Sequence, residues 1–249
     1  MIGSALLLQL EEIAFAAWPA EDVECADGWR LRWTQGVTRR ANSVWPNEVT
    51  GDAPLSDRIA RAEAFYAERG AATTFQISPA ARPGRLDAEL AARGYRVDAP
   101  VSIQTTRAET SIVEHPHDVR VESRCAEEWF DVSARQGRFA SMAHVYRALL
   151  ERIGPRALYA WARIAGDPVG VGLGVVDGGW LGIFSMLTLP AHRKKGVGRA
   201  ILSTLASAGL ERGAPNVYLQ VERDNVAALA LYAQAGFRHC YGYHYRVAS

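Results

Sequence analysis

From residue 157 to the end of the chain, short apolar runs of strand character alternate with longer helical patterns, and this alternation constrains the fold more than any other feature. Strands "ALYAWARIAG", "VGVGLGVV" and "WLGIFSMLTL" are separated by turn residues at Gly166-Asp167-Pro168 and Asp177-Gly178-Gly179. Helix "GRAILSTLASAGLERG", strand "NVYLQVE", helix "NVAALALYAQAG" and strand "RHCYGYHYRVA" follow. Upstream lie strand "VRVES" and two helical stretches, "AEEWFDVSARQG" and "SMAHVYRALLERIG". Such a succession predicts an α/β protein with a mixed sheet and helices on its faces.

The first half repeats part of this plan. After the amphipathic N-terminal stretch, Trp29, Leu31 and Trp33 alternate with Arg30, Arg32 and Thr34, and Gln35-Gly36 offers a turn into a second strand. Helix "PLSDRIARAEAFYAERG" follows, with Ser56 as its cap and Gly70 as its stop. Strand "TTFQIS", helix "GRLDAELAARGY" and strand "APVSIQTT" then parallel "VYLQVE", "AALALYAQAGF" and "RHCYGYHYRV". The repeat predicts two tandem related units, 1–108 and 118–249, joined by a polar linker at 109–117. His115 and His117 flank a proline there. With no further ligands at metal-site spacing they read as solvated linker, and no metal site is expected.

A formal net charge of +1 provides no global field to attract nucleic acid or a membrane surface, so an anion site must be local. Cys25, Cys125 and Cys240 are odd in number and far apart, which argues against a disulfide framework or zinc knuckle and for a cytoplasmic protein. Glu11 and Glu12 interrupt the apolar N-terminus, and no run approaches the roughly 18–20 apolar residues of a membrane span.

The local anion site is the loop "RKKGVG" between a strand and a helix. Amides at a helix N-terminus lack partners and the helix dipole is positive there, which favours phosphate. Gly196 and Gly198 let the backbone approach, and Arg193, Lys194, Lys195 and Arg199 add charged donors. Two familiar phosphate loops do not fit: Arg199-Ala200 stands where a Walker loop needs Lys-Ser/Thr, and Ile201 where a dinucleotide fingerprint needs its third glycine. The loop does fit [QR]xxGx[GA]. Downstream, "NVAALALYAQAGF" sets Asn225 and Tyr232 two helical turns apart, before Gly236-Phe237.

With these two motifs in order, residues 118–249 resemble the GCN5-related N-acetyltransferase (GNAT) superfamily. The first half resembles a degenerate copy that lacks the glycine loop and helps frame the acceptor pocket. The resemblance implies an acetyl-CoA-dependent acyltransferase acting by direct attack of an amine. It implies that backbone groups of Met186, Leu187 and Thr188 pair with the pantetheine, that amides from Lys194 through Gly196, Val197 and Gly198 to Arg199 bind the pyrophosphate, with Arg193 opening the motif, and that Asn225 contacts the pantetheine. Tyr232 would protonate the leaving thiolate. For the general base, Gln220 stands where several members carry a glutamate, which leaves Glu222, on the same strand face, as the candidate. His144, Tyr241, Tyr243 and His244 are alternatives. Arg39 and Arg40, beside Asn42 and Ser43, are a candidate site for an acceptor carboxylate or phosphate, against the reading of a solvated strand face. The expected acceptor is a small-molecule amine, and the expected assembly a monomer or homodimer. A non-catalytic acyl-CoA sensor is the alternative.

Overall fold

The structure is a computed structural model that describes residues 2–135 and 139–249. Its first half runs α1 (Ser4–Ala16), β1 (Asp22–Ala26), β2 (Trp29–Trp33), β3 (Val44–Trp45), α2 (Leu55–Ala67), β4 (Thr74–Ile77), α3 (Leu86–Ala92) and β5 (Arg96–Arg107). A short helix, α4 (Ala108–Ser111), leads into β6 (Asp118–Glu122), α5 (Glu127–Phe130) and α6 (Ala143–Ile153). The rest is β7 (Ala157–Ile164), β8 (Asp167–Asp177), β9 (Trp180–Thr188), α7 (Val197–Glu211), β10 (Asn216–Glu222), α8 (Val226–Gln234) and β11 (Arg238–Val247).

All eleven strands form one mixed sheet in the order β1-β2-β3-β4-β11-β5-β10-β9-β8-β7-β6. The order is symmetric about its centre. β4 and β5 flank β11, β10 and β11 flank β5, and the parallel pair β3/β4 mirrors the parallel pair β9/β10. The strand-helix-strand repeat in the sequence corresponds to β4-α3-β5 and β10-α8-β11, whose strands interleave.

Alternation along the strands divides the core between two faces. On one face α1, α5 and α6 bury Leu10, Trp129 and Leu149 against Tyr159, Trp161, Tyr218 and Tyr243. On the other, α7 and α8 pack Ile201, Leu205 and Tyr232 onto Leu158, Val217 and Leu219, while α2 and α3 cover Phe75 in the first half. The "VGVGLG" pattern of β8 explains how close α7 lies. A Cβ at Gly172 would stand 2.7 Å from Ile201 Cγ2 and 2.6 Å from Met186 Sδ, so glycine sets the distance between that helix and the sheet.

Several local readings change. β2 pairs across a tight turn at Asp27-Gly28 with the preceding strand β1, and along its other edge with β3, the segment after Gln35-Gly36, at Arg30↔Trp45 and Leu31↔Val44. That later segment makes a 3-10 turn at Arg39–Ala41 and only two residues of strand. Ser56 does not cap α2: Pro54 holds the cap position, and the Ser56 hydroxyl donates to Asp57. Gly166 turns the β7-β8 hairpin with Ala165, both at positive φ, and Asp167 already belongs to β8. The helix predicted over 126–137 is α-helical over Glu127–Phe130 and continues wider-wound through Asp131–Arg135; residues 136 and 137 lie outside the described residues. The linker is not a free strap. The Val113 amide and carbonyl both bond Ser203 Oγ, His115 Nε2 bonds Thr204 Oγ1, and His117 Nε2 donates to the Lys195 carbonyl at 2.8 Å. Among the described residues, no helix is long and apolar enough to cross a membrane.

Candidate active site

Parallel pairing of β9 with β10 runs from Trp180↔Asn216 to Ile183↔Leu219 and stops there. Beyond it the strands part. The cause is a bulge in β9: opposite β8, Val171 pairs with Leu187 but Leu173 pairs with Phe184, so Ser185 and Met186 together oppose the single residue Gly172. Ser185 takes a left-handed conformation at φ 48°, and its hydroxyl is hydrogen-bonded to the Tyr146 hydroxyl at 2.8 Å. The Gly172 carbonyl accepts from the buried Trp129 indole at 3.0 Å. The bulge therefore frees the β10-facing edge of Phe184–Thr188 while the Ser185 hydroxyl and the Gly172 carbonyl keep partners.

The opened wedge leads into a cavity of about 630 Å³. Met186 and Leu187 line it from β9, Gln220 and Glu222 from β10, and Asn225 and Tyr232 from α8 and its cap. At one end of the wedge stands the N-terminus of α7. Gly196 is its cap residue at φ 83°, Lys194 beside it is at φ 60°, and no side chain caps the helix. A Cβ at Gly198 would stand 3.3 Å from Leu231 Cδ2 and 3.7 Å from Thr188 Oγ1, so the backbone is stripped of side chain where α7 faces α8. Arg193, Lys194, Lys195 and Arg199 are exposed, and no described carboxylate pairs with them. Arg193 Nε donates to the Thr188 carbonyl at 3.2 Å, tying the loop to the end of β9. A cradle of this form suits a phosphate group.

Tyr232 is buried, and burial pushes its hydroxyl up to about 12, so it holds its proton across the neutral range. Asn225 N-caps α8: its Oδ1 accepts from the Ala228 amide at 3.1 Å while the residue also borders the cavity. Glu222 lies at the rim, about half exposed, 3.6 Å from Arg39 Nη1; Arg39 Nη2 in turn bonds Asp98 at 2.8 Å. Gln220 accepts from the Tyr243 hydroxyl at 2.7 Å. The alternative bases are placed elsewhere: His144 is exposed on α6, Tyr241 donates to Glu11 at 2.6 Å, and His244 is bonded to Asp87. Of that group only Tyr243 borders the cavity, buried and with its ionisation pushed far up by desolvation.

The far wall of the cavity comes from the first half; the sequence pointed to Arg39 and Arg40 there but not to Trp18. Trp18, just after α1, donates to Thr38 Oγ1 at 2.9 Å and stacks on Phe184 with ring centroids 5.4 Å apart. Thr38 starts the 3-10 turn that carries Arg39 and Arg40. Asn42 and Ser43 do not reach the cavity as ligands. Asn42 Oδ1 accepts from the amides of Thr34 and Gly36, fixing the loop, and Ser43 Oγ accepts from buried Arg32. Adjacent arginines after a strand were the one signal of this wall in the sequence.

A bulged strand parted from its parallel neighbour, an uncapped helix with a basic glycine entry and a buried tyrosine in the wedge define an acyltransferase enzyme of the GNAT superfamily. The chain belongs to the family described as "Probable histone acetyltransferase Rv0428c C-terminal", whose model matches residues 5–246. It is 31% identical over 245 residues to the protein described as "Uncharacterized N-acetyltransferase YobR" of Bacillus subtilis (strain 168), covering 96% of this chain and 97% of that one. Among solved structures, a GCN5-related N-acetyltransferase from Kribbella flavida shares the fold with a TM-score of 0.69 at 13% identity, covering 99% of this chain and 96% of the other. A tandem GNAT protein from the clavulanic acid biosynthesis pathway aligns with a TM-score of 0.63 at 16% identity, over 78% of this chain and 69% of its own.

Proposed function

We propose that this N-acetyltransferase takes its acetyl group from acetyl-CoA and delivers it to the amine of a small-molecule acceptor by direct attack. The observation that carries the reading is the parting of β9 from β10 directly beside the uncapped N-terminus of α7, with Tyr232 in the gap. Amides from Lys194 to Arg199 would hold the pyrophosphate, the free edge of Met186–Thr188 would pair with the pantetheine, and Asn225 would contact it from α8. When bound, acetyl-CoA supplies an activated acyl group on a thioester.

The chain's own residues then have three tasks. A primary amine with a pKa near 10 is mostly protonated at neutral pH, and general-base removal of its proton contributes roughly 10²–10⁴-fold. Glu222 takes that role, directly or through water, with Arg39 beside it at 3.6 Å. An amide of the β9 bulge near Met186 or Leu187 donates to the carbonyl oxygen as charge develops there. Tyr232 holds a proton toward the departing sulfur. The first half of the chain, a copy without a donor loop, frames the acceptor end through Trp18 and the Arg39-Arg40 turn.

The family description names a histone acetyltransferase, whose acceptor is a lysine on a basic protein. Arg40, on the acceptor wall without a described carboxylate partner, disfavours a cationic chain, and a cavity of about 630 Å³ falls within the range of roughly 300–1,000 Å³ typical of small-ligand pockets. The test is thiol release from acetyl-CoA across a panel of small amines and a lysine-rich peptide. Acceptor-dependent release with small amines supports the reading; saturable CoA binding without release under any condition would mean an acyl-CoA sensor.

A further inference from the structure

Arg39 and Arg40 are adjacent in sequence and differ in what they meet. Arg39 is shared between Asp98 and Glu222 at the rim. Arg40 turns inward and lines the cavity, its guanidinium carbon 5.5 Å from the Trp18 ring centroid and 5.3 Å from that of Phe184. No described carboxylate pairs with it, and its Nε is buried without a hydrogen-bond partner among the described residues. The Tyr243 hydroxyl, which Arg40 faces, already donates its proton to Gln220 and so presents only lone pairs to the guanidinium. Aromatic faces hold a guanidinium in place but do not neutralise it. A half-buried cation with spare donors, at the end of the cavity away from α7, is arranged for an anion.

We propose that the acceptor is an amine carrying a carboxylate, and that Arg40 receives this carboxylate on the Trp18–Phe184 wall. The inference rests on the acetyltransferase reading above and names its substrate class. One planar guanidinium matches one carboxylate through paired N–H donors. A phosphate dianion calls for a second cation, and Arg39 is already engaged by two acids. Polyamines or basic peptides call for carboxylates instead, and Glu222, the carboxylate among the described lining residues, is paired.

The experiment compares amino acids with their carboxamides, which keep size and amine but lose the charge. In wild type the acids are preferred about 10–100-fold in kcat/KM, chiefly through KM, as a charged hydrogen bond predicts. Arg40→Gln brings the two within about threefold of each other, while Arg40→Lys keeps part of the preference and controls for folding. Calorimetric titration of the same compounds without acetyl-CoA reads the acceptor end alone. If the donor assignment is wrong, thiol release fails for every compound while charge-dependent binding, and its loss in Arg40→Gln, remain. Equal binding of acid and carboxamide by wild type, equal losses on both in Arg40→Gln, or no binding of any acid overturns the inference.

Discussion

The units β4-α3-β5 and β10-α8-β11 share a backbone but not a chemistry. Both helices end in the same way: the amides of Gly94 and Tyr95 return to the carbonyls of Ala91 and Leu90, and those of Gly236 and Phe237 to Ala233 and Tyr232. The two glycines have φ values of 86° and 85°. This correspondence sets Leu90 where the second unit has Tyr232. The helices that precede the units differ more sharply. Neither has a side-chain cap, but α7 begins behind basic residues, whereas α2 begins with Asp57 in its first turn, and Arg58 donates to the carbonyls of Asp27, Thr50, Gly51 and Ala53. An acidic first turn and a guanidinium filling the loop leave no place for a phosphate. One fold element thus offers a candidate phosphate cradle or structural support according to a handful of side chains at its helix entry.

Four tests, two of them with a counterpart in the first unit, sharpen or break that contrast. The largest effect is expected for Gly196→Asp, which puts a side chain at φ 83° and a carboxylate where the pyrophosphate would lie; CoA affinity measured by calorimetry should fall more than about 100-fold. Ala53→Asp, at the entry of α2, should leave CoA affinity as it was, and equal losses from both changes would erase the difference between the helices. Next, Tyr232→Phe should lower kcat by about 10–100-fold with little change in KM or melting temperature. Its counterpart Leu90→Ala should cost about 2–5 kcal/mol of stability with no specific loss of turnover. An unaffected kcat in Tyr232→Phe would remove the general acid. Third, Glu222→Gln should flatten the acidic limb of the pH profile of kcat/KM and lower its plateau about tenfold or more; an unaltered profile would move the base to solvent. Smallest is Asn225→Ala, which removes the cap of α8 and should cost about 1 kcal/mol in chemical denaturation.

The join between the halves has its own pH signature. Glu11 is buried, and desolvation raises its carboxyl above the usual range despite hydrogen bonds from Tyr241 and Asn47. A raised folded-state pKa means the folded protein binds the proton more tightly. This contribution is therefore complete below the unfolded value near 4.5 and is lost as pH rises through the folded one. Melting of Glu11→Gln should lack that decline with pH; a parallel decline in the variant would assign it to other groups.

The candidate donor side could be proposed from the sequence because its pieces are local. Strand β10 matches "NVYLQVE" residue for residue, and the glycine loop and the Asn225–Tyr232 spacing each lie within one short stretch. What the sequence hid depends on distant partners. β1 reads "DVECA", without clear alternation, and becomes a strand because β2 pairs with it. The segment at Arg39–Ala41 bends away from strand geometry because Asn42 and Thr38 satisfy its backbone locally. The acceptor wall joins Trp18 and Arg40 to Phe184, more than 140 residues further on, and no periodicity encodes such a meeting.

The interleaved strand order also bears on how the chain acquires its structure. β11, near the C-terminus, is inserted between β4 and β5, and β5 alone joins it to β10. A nascent chain therefore cannot finish its first half and wait for the second, since the edges of β4 and β5 stay unpaired until residues 238–247 have been made. Contacts of such long sequence separation fold slowly and leave sheet edges open to other chains. The ten residues of β11 act as a late-arriving clasp, and shortening the chain by one strand should yield two aggregation-prone halves in place of one smaller enzyme.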